Sequence, residues 1–164
     1  MATPSLSTKP DRGAAAAHDH GIPRSPQWKA ARKKYAKTHP FCEVDGPGVV
    51  RQHLEVHHVV PYHICQLLGR GDLEFDPRNF VMLCEDDGFD HHLLVGHLDS
   101  FKSSNPNVRT DVVTYKGLTL DVLHTDARWV AASKIREKDW ADMTDADKAA
   151  LRKELDEMYP LVAK

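Results

Sequence analysis

The central third of the chain alternates between short apolar runs and polar loops. An apolar, β-branched run from Leu54 to Val60, followed by Pro61, predicts a first strand. The loop that follows has glycine, Asp-Pro and polar residues at turn positions, and a second apolar run from Asn79 to Cys84 predicts a second strand. From about Asp90, the spacing of the leucines and Phe101 predicts a helix. The predicted order is therefore strand, long loop, strand and helix.

A basic helix is predicted upstream of this unit. Ser25 can cap it, Pro26 suits its first turn, and it runs from about Gln27 to Lys37 before Pro40. Segment 24–41 contains no acidic residue, and its cations are Arg24, Lys29, Arg32, Lys33, Lys34 and Lys37. Such one-sided charge is typical of an element that faces phosphates. A basic face that is only solvated explains the segment equally well when it is taken alone.

Three further elements are predicted downstream. Alternating apolar residues in "VVTYKGLTLDVLHT" predict a β-hairpin around Lys116-Gly117, and "DARWVAASKIREKDWADM" is predicted to be helical. A final helix is predicted to begin at Thr144, which has capping-box spacing to Asp147, and to end at Pro160. Its predicted apolar face contains Leu151, Leu155 and Met158. We expect these C-terminal elements to pack on the core, contact a partner or position a substrate.

Length and composition restrict the class of protein. The chain has 164 residues, of which 41% are hydrophobic, and this is enough for one compact domain. No apolar run approaches a membrane span, and "GAAAAHDHG" is too short and too acidic for a secretory signal, so we expect a cytoplasmic protein without a membrane partner. Residues 1–23 lack hydrophobic periodicity and predict a disordered leader. A core domain is expected over 24–108, with the hairpin and helical extension over 109–164 packed on or beside it.

Histidines are concentrated in the strand-loop-strand-helix unit. Of the eleven, seven lie there, and they are His53, His57, His58, His63, His91, His92 and His97. A lone histidine on an apolar strand is most often a core or surface residue, but neighbouring strand residues point to opposite faces, which permits two roles at "HH". A strand pair packed on a helix can bring His57, His92 and His97 within reach of one metal ion. His58, on the other side of the strand, then remains available as a base.

Three segments together resemble the HNH endonucleases, the His-Me finger nucleases of the ββα-metal fold. They are "LEVHHVVPYH", "LEFDPRNFVMLCE" and "HHLLVGHLDSFKSSNPNV", and the resemblance covers about Pro23 to Val108, roughly half of the chain. The implied fold is α+β, with a ββα-metal core preceded by the basic helix and followed by the hairpin and C-terminal helices. The implied activity is hydrolysis of DNA phosphodiester bonds, by nicking or double-strand cleavage, with one divalent metal ion (Mg, Mn, Ni or Zn).

The resemblance implies a role for each matching residue. His57 is implied as a metal ligand and His58 as the general base, while Asn79 orients the base and His92 completes the metal site. His97 is implied as a third ligand or a phosphate contact. The chemistry agrees, because imidazole can deprotonate an attacking water near neutral pH and a cation offsets the charge that develops on the phosphate. Asn79 also has a purely structural interpretation, as the cap of the turn "DPRN" before the second strand.

The chain departs from the family pattern where many relatives carry two cysteine pairs for a structural zinc. Asp45 stands where a second cysteine would follow Cys42, and His91 stands at the position of the last cysteine after Cys84. Either these four residues still bind zinc more weakly, or the metal is lost and apolar packing replaces it. We expect loss, because carboxylate ligands are uncommon in structural zinc sites. Three cysteines argue against a disulfide framework, and Cys65 is expected to be a buried apolar residue.

The resemblance implies that DNA is the partner, and that the protein contacts its phosphates rather than its bases. The candidate phosphate contacts are Lys29, Arg32, Lys33, Lys37, Arg78 and Lys102, together with Arg70. No base-reading module is evident, so we expect weak sequence preference unless the C-terminal helices or a partner protein supply specificity. The oligomeric state stays open. Two other classes of function also stay open. An HNH-like DNA-binding module without catalysis would show a disrupted base, metal ligand or asparagine. A zinc-stabilised interaction domain would need the cysteines more than the histidines.

Overall fold

The fold combines a small sheet with short helices, in a computed structural model that describes residues 5–6, 24–101, 104–116, 119–127, 130 and 143–161. The strands are β1 (Ser5–Leu6), β2 (His53–His58) and β3 (Phe80–Cys84). The helices are α1 (Trp28–Thr38), α2 (Tyr62–Leu67), α3 (Val108–Thr114), α4 (Leu120–Thr125) and α5 (Asp145–Met158). Two 3₁₀ turns, Gly71–Glu74 and Pro77–Asn79, lie between α2 and β3, and a π-helical turn spans His92–Gly96. The chain is therefore of the α+β class, as predicted.

The central strand of the sheet is β2. It pairs antiparallel with β3, so that His57 lies opposite Val81 and His58 opposite Phe80. Both predicted strands are confirmed, although β2 ends at His58. On its other edge β2 pairs in parallel with β1, which covers backbone groups that an edge strand would leave unpaired. Residues 5–6 thus form a strand where the sequence predicts disorder, and the rest of the predicted leader lies outside the described residues.

Aromatic residues attach α1 to the sheet. Trp28 and Tyr35 lie on one helix face and are buried, and their ring centroids are 5.4 and 5.3 Å from that of Phe80 on β3. The Tyr35 hydroxyl donates a hydrogen bond of 3.1 Å to the Phe80 carbonyl. These residues belong to the main core, which also includes buried side chains of β2, the π-helical turn, α3 and α4. The basic helix is where the sequence predicts it.

The predicted hairpin around Lys116-Gly117 is wrong. The described residues on either side form α3 and α4 instead, and Gly117 itself lies outside the described part of the chain. The apolar residues that suggested alternation also fit a helical spacing, because Val108, Val112 and Tyr115 recur every three or four positions and all three are buried. Tertiary packing of this face outweighs the β-branched character of the segment.

The predicted helix from Asp90 is shorter than its apolar pattern suggests. It consists of the π-helical turn, and Leu98 and Asp99 then take positive φ angles of 53° and 63°, which end the helical geometry. Side chains five positions apart point about 140° away from each other in an α-helix, but the i→i+5 bonding of a π turn brings them to roughly the same side. The wider turn therefore lets His92 and His97 face the same side.

The C-terminal helix packs on a second core. The capping box between Thr144 and Asp147 is confirmed, and Leu155 is fully buried while Leu151 is half-buried. Met158 was predicted on the apolar face, but it is 58% exposed. The second core contains Val60, Ile64, Cys65, Leu68, Leu73, Leu155 and Tyr159. It joins α5 to α2 and to the turns that precede β3.

Arg70 reinforces the attachment of α5. Its buried guanidinium forms ion pairs with Asp72 at 2.8 Å and Asp156 at 2.7 Å, and it donates to the Tyr159 carbonyl at 2.8 Å. Most of the predicted helix "DARWVAASKIREKDWADM" lies outside the described residues. Among the helices of the described part, none combines the length and the apolar character that crossing a membrane requires.

Candidate functional site

Three histidines converge on one side of the sheet. The ring centroids of His57 and His92 are 5.3 Å apart, and that of His97 is 4.9 Å from each. One nitrogen of each ring lies within 4.8 Å of the others. Ligand nitrogens around a tetrahedral metal with bonds of 2.0–2.1 Å are about 3.3 Å apart, so the nitrogens would approach each other by at most about 1.5 Å on binding an ion. We call His57, His92 and His97 the three-histidine cluster.

A glycine allows this convergence. The π-helical turn approaches β2 at Gly96, where an added Cβ would lie 3.0 Å from Nδ1 and 3.1 Å from Cε1 of His57. The same Cβ would lie 3.2 Å from a methyl carbon of Leu83 on β3. Any side chain at this position would require the His57 ring or Leu83 to shift by a few tenths of an ångström.

The chemistry of the donor atoms fits a metal ion. Nε2 of His57 is buried and is among the few side-chain nitrogens of the described residues without a hydrogen-bond partner. Burial, with further contributions from the charges of His97 and His92, lowers the pKa of His57 well below its usual value, so the ring is neutral. Nδ1 of His92 lies 2.7 Å from a Glu85 carboxylate oxygen. A carboxylate accepts only, so Nδ1 of His92 carries the proton and Nε2 has the lone pair that a metal requires.

His58 points to the other face of β2, as strand alternation requires. Its Nε2 lies 3.1 Å from the Glu74 carbonyl, which is an acceptor only, so Nε2 carries the proton and Nδ1 is the acceptor. Nδ1 is 3.1 Å from Nη1 of Arg24, and the ring lies 4.4 Å from that of Trp28. The ring is only 5% exposed, so the expected free base is covered in this structure. Burial and the Arg24 charge lower the pKa of His58 to about 3.

Asn79 supports the loop that orients His58. Its Nδ2 donates to the carbonyls of Leu73 at 3.1 Å and Val60 at 3.2 Å, and its Oδ1 accepts from the Val60 amide at 2.8 Å. These bonds connect the end of β2 to the turn that presents the Glu74 carbonyl to His58. Asn79 therefore lies where it can position the base through the backbone, and Asp76 rather than Asn79 caps the turn.

The four residues with degenerate zinc spacing also lie together. Nδ1 of His91 is 3.4 Å from the Cys42 sulfur, 3.3 Å from the Cys84 sulfur and 3.4 Å from Asp45 Oδ2. The Cys84 sulfur is 3.7 Å from the same carboxylate oxygen. Ligand atoms around a tetrahedral zinc, with bonds of about 2.3 Å to sulfur and 2.0–2.2 Å to nitrogen or oxygen, are about 3.3–3.8 Å apart. We call these residues the Cys/Asp/Cys/His cluster.

The ionisation of this cluster is strongly perturbed. Burial raises the pKa of the Cys42 thiol, but hydrogen bonds from Cys84 and His91 outweigh burial and lower the pKa to about 6. The hydrogen bond to Cys42, followed by burial, raises the pKa of Cys84 far above its usual value. Burial lowers the pKa of His91, but hydrogen bonds to Asp45 and Cys42 outweigh burial and raise the pKa to about 9.

Asp45 is held as a carboxylate from outside the cluster. Burial raises its pKa, but two hydrogen bonds of 2.8 Å from Arg51 outweigh it and hold the pKa well below its usual range. The Arg51 guanidinium itself lies 3.9 Å from the centroid of the Phe89 ring. All three cysteines are free thiols, and Cys65 is fully buried in the second core, as predicted.

The predicted phosphate contacts that the structure describes divide into three groups. Lys29, Lys33 and Lys37 are exposed and follow each other every four residues along α1. Arg32 instead forms a 2.6 Å ion pair with buried Glu55, and Arg78 forms one with Asp76 at 2.5 Å. A phosphate would therefore have to compete with a carboxylate for either guanidinium. Arg70 is buried in its structural ion pairs, which makes it unsuitable as a phosphate contact. Lys102 lies outside the described residues.

Several residues of the site escape sequence reasoning. Arg24 and Trp28 cover His58, and Glu85 orients His92, but each acts across space and carries no motif of its own. A weak signal exists for Glu85, since it directly follows the second strand and lies seven residues before His92. Gly96 lies next to His97, yet only the close approach to His57 shows its purpose.

Comparison of the chain with known protein families, with curated proteins and with solved structures found no match.

Proposed function

We propose that this protein is a metal-dependent endonuclease of the HNH type, which hydrolyses DNA phosphodiester bonds with His58 as the general base. In this proposal β2, β3 and the π-helical turn form a ββα-metal core. The observation that carries the proposal is that two neighbouring histidines, His57 and His58, have different hydrogen-bond environments. His57 has a buried Nε2 without a hydrogen-bond partner, and one nitrogen of its ring lies within 4.8 Å of nitrogens of His92 and His97. His58 instead bonds the Glu74 carbonyl through Nε2, which leaves Nδ1 as the acceptor.

The proposed step is hydrolysis by an attacking water. Nδ1 of His58 accepts a proton from the water, whose oxygen forms a bond to phosphorus as the bond to the 3′ oxygen breaks. The leaving oxygen takes a proton from solvent, and His58 later returns its proton to solvent, so that one water and one diester give a phosphate monoester and a hydroxyl. Because His58 is the last residue of β2, the phosphate would lie across the end of this strand, where a divalent ion held by His57, His92 and His97 would offset the negative charge on the phosphate and the leaving oxygen. Three imidazoles favour Mn, Ni or Zn over Mg, which prefers oxygen ligands.

We also propose that the Cys/Asp/Cys/His cluster holds a structural zinc ion. The sequence favoured loss of this metal, because a carboxylate replaces one thiolate. Two features now support retention: the spacing of 3.3–3.7 Å between the ligand atoms and the two hydrogen bonds from Arg51 that keep Asp45 ionised. A preformed set of ligands reduces the ordering cost of binding, and the ion would link the loop containing Cys42 to β3.

DNA binding is assigned to the exposed face of α1. Lys29, Lys33 and Lys37 form a row along the exposed face, with about 6 Å of rise between neighbours because four residues advance an α-helix by about 6 Å. Such a row of cations can neutralise backbone phosphates. Binding through these lysines would be sequence-independent and sensitive to salt.

The test is nicking of supercoiled plasmid by the purified full chain with Mg²⁺, Mn²⁺, Ni²⁺ or Zn²⁺, and with EDTA as the metal-free control. We expect metal-dependent nicking that His58→Ala abolishes, because no other group would replace the base. The matched control is His124→Ala, which removes an exposed imidazole whose ion-pair partner among the described residues is exposed Asp99 at 3.4 Å, and it should leave nicking unchanged. Nicking that survives His58→Ala would contradict the proposal.

One observation favours a second candidate, a DNA-binding module without catalysis. His58 is covered by Arg24 and Trp28, so water does not reach Nδ1 in this structure. The same plasmid assay separates the two candidates. Retention of DNA at low salt without nicking, with any of the four metals, would support the binding module.

A further inference from the structure

The acceptor atom of the proposed base is occupied by a cation of the same chain. Arg24 precedes α1, and its Nη1 lies 3.1 Å from Nδ1 of His58. Its guanidinium carbon is 4.9 Å from the Trp28 ring centroid and 5.5 Å from that of Tyr62, so two aromatic rings hold it. Because Nε2 carries the proton, Nδ1 has the only lone pair of the ring, and a water cannot donate to it while Arg24 does.

The segment that carries Arg24 is fastened to the residue that orients the base. The Ser25 amide donates to a carboxylate oxygen of Glu74 at 3.0 Å, and the backbone carbonyl of Glu74 is the partner of His58 Nε2 at 3.1 Å. Glu74 is buried, so these bonds are protected from water. The arrangement holds the guanidinium at His58 in the protein without DNA.

A phosphate would compete well for this guanidinium. An imidazole offers one neutral acceptor, whereas a phosphodiester offers two charged oxygens that match the planar fork of arginine. The bond to His58 has charge on the donor only, whereas a bond to phosphate has charge on both partners, which makes it the stronger of the two. Arg24 also lies beside the atom at which the attacking water must sit, so the phosphate under attack is the one within its reach.

We propose that Arg24 is a substrate-operated cap on the base: it holds Nδ1 of His58 in the free protein and moves to the non-bridging oxygens of the scissile phosphate when DNA binds. This inference rests on the proposed endonuclease function. Moving the guanidinium uncovers the lone pair for the attacking water and at the same time stabilises the charge of the transition state. The base is therefore exposed only when a phosphodiester is in place.

The test combines turnover with the chemical reactivity of His58. In single-turnover nicking with the protein in saturating excess over plasmid, Arg24→Ala should lower the rate by about 10²–10³-fold, the usual loss when one donor to a developing charge is removed. Free guanidinium ion added to Arg24→Ala should restore part of the rate. In the absence of DNA, Arg24→Ala should make His58 react faster with diethylpyrocarbonate, as measured by peptide mass spectrometry. Arg24→Lys keeps the charge but not the planar guanidinium. Its nicking rate and its His58 reactivity should lie between those of the wild type and Arg24→Ala.

Lys153→Ala is the comparison variant, because it removes an exposed cation of α5 that is paired with exposed Glu157 at 3.8 Å. It should change neither the single-turnover rate nor the reactivity of His58. Faster nicking by Arg24→Ala would overturn the phosphate role, and unchanged reactivity of His58 would overturn the cap. If neither wild type nor any variant nicks DNA, the endonuclease proposal fails, while the reactivity of His58 still decides whether Arg24 covers it. Equal gains in reactivity at every histidine would indicate that Arg24→Ala is unfolded. Arg24→Lys then decides, and unchanged reactivity of His58 in that folded variant would overturn the cap.

Discussion

At the scale of single residues, hydrogen-bond partners decide which nitrogen of each imidazole is available. Glu85 and the Glu74 carbonyl both accept, but they bind opposite ring nitrogens, Nδ1 of His92 and Nε2 of His58. The first leaves Nε2 of His92 for a metal ion, and the second leaves Nδ1 of His58 for a proton. Two residues of the same type thus acquire different chemistry from one contact each.

Glu85→Gln tests this orientation of His92. The amide can still accept from Nδ1, but it lacks the charge that strengthens the lone pair on Nε2, so the affinity of the three-histidine cluster for Mn²⁺ should fall by about 10–100-fold. Isothermal titration calorimetry with Mn²⁺ measures this affinity. Mn²⁺ binds thiolates weakly, so the Cys/Asp/Cys/His cluster contributes little to the signal. Glu154→Gln, an exposed residue of α5, is the control. Equal affinities in both variants would show that Glu85 does not act on the metal site.

The Cys/Asp/Cys/His cluster gives a prediction on pH. With the pKa of Cys42 at about 6 and that of His91 at about 9, the metal-free cluster near pH 7.5 has one thiolate and an imidazolium, while Cys84 keeps its proton. Zinc requires both thiolates and a neutral imidazole, so its binding must release about two protons, one from Cys84 and one from His91. The zinc dissociation constant should therefore fall about 100-fold per pH unit between about pH 6.5 and 8.5.

Titrations in buffers of different ionisation enthalpy count these protons, and Co²⁺ in place of zinc should show thiolate charge-transfer absorption. Asp45→Asn removes the carboxylate that helps raise the pKa of His91, so it should bind zinc more weakly and release closer to one proton. A zinc affinity that does not change with pH would contradict the assigned ionisation, and absence of zinc uptake would contradict the site.

At the scale of elements, the approach of the π-helical turn to β2 sets the geometry of the metal site. Gly96→Ala should place a methyl group 3.0 Å from the His57 ring, displace that ring and lower both the Mn²⁺ affinity and the stability, the latter by about 1–3 kcal/mol. Titration with Mn²⁺ and urea unfolding measure the two effects. Gly48→Ala is the matched control, because its Cβ would meet nothing within 4 Å. If both variants bind Mn²⁺ like the wild type, the turn does not constrain His57.

The sequence predictions are accurate for features determined by residues close together in the chain, and they fail for features determined by contacts between distant residues. β2, β3 and α1 were predicted because a local apolar pattern, together with Pro26 and Pro61, determines them. The hairpin was wrong because Val112 and Tyr115 fit strand and helix equally well, and only packing on the main core decides between them. The histidines were identified by type and spacing, whereas Arg24 and Glu85 contact them from 34 and 7 residues away and have no local signature.

At the scale of the whole molecule, Asn79 joins the two cores. Phe80, the residue after Asn79, lies in the main core. The side chain of Asn79 itself binds backbone groups of Val60 and Leu73, which lie in the second core. The second core also contains Leu155 of α5. The C-terminal helix therefore supports the turn that presents the Glu74 carbonyl to His58.

Leu155→Ala tests this support from a distance. Truncation of this fully buried side chain should lower the free energy of unfolding by about 2–5 kcal/mol, as measured by urea denaturation. Met158→Ala on the same helix removes a side chain that is 58% exposed, and should change stability by less than about 0.5 kcal/mol. Amide hydrogen exchange in Leu155→Ala should lose protection in α5 and in residues 71–79 together, while β2 and β3 keep theirs, because the turns rest on the second core and the strands on the main core. Loss of protection in α5 alone would show that the helix does not hold the base-orienting turn, and equal loss in the strands would show that the two cores unfold as one unit.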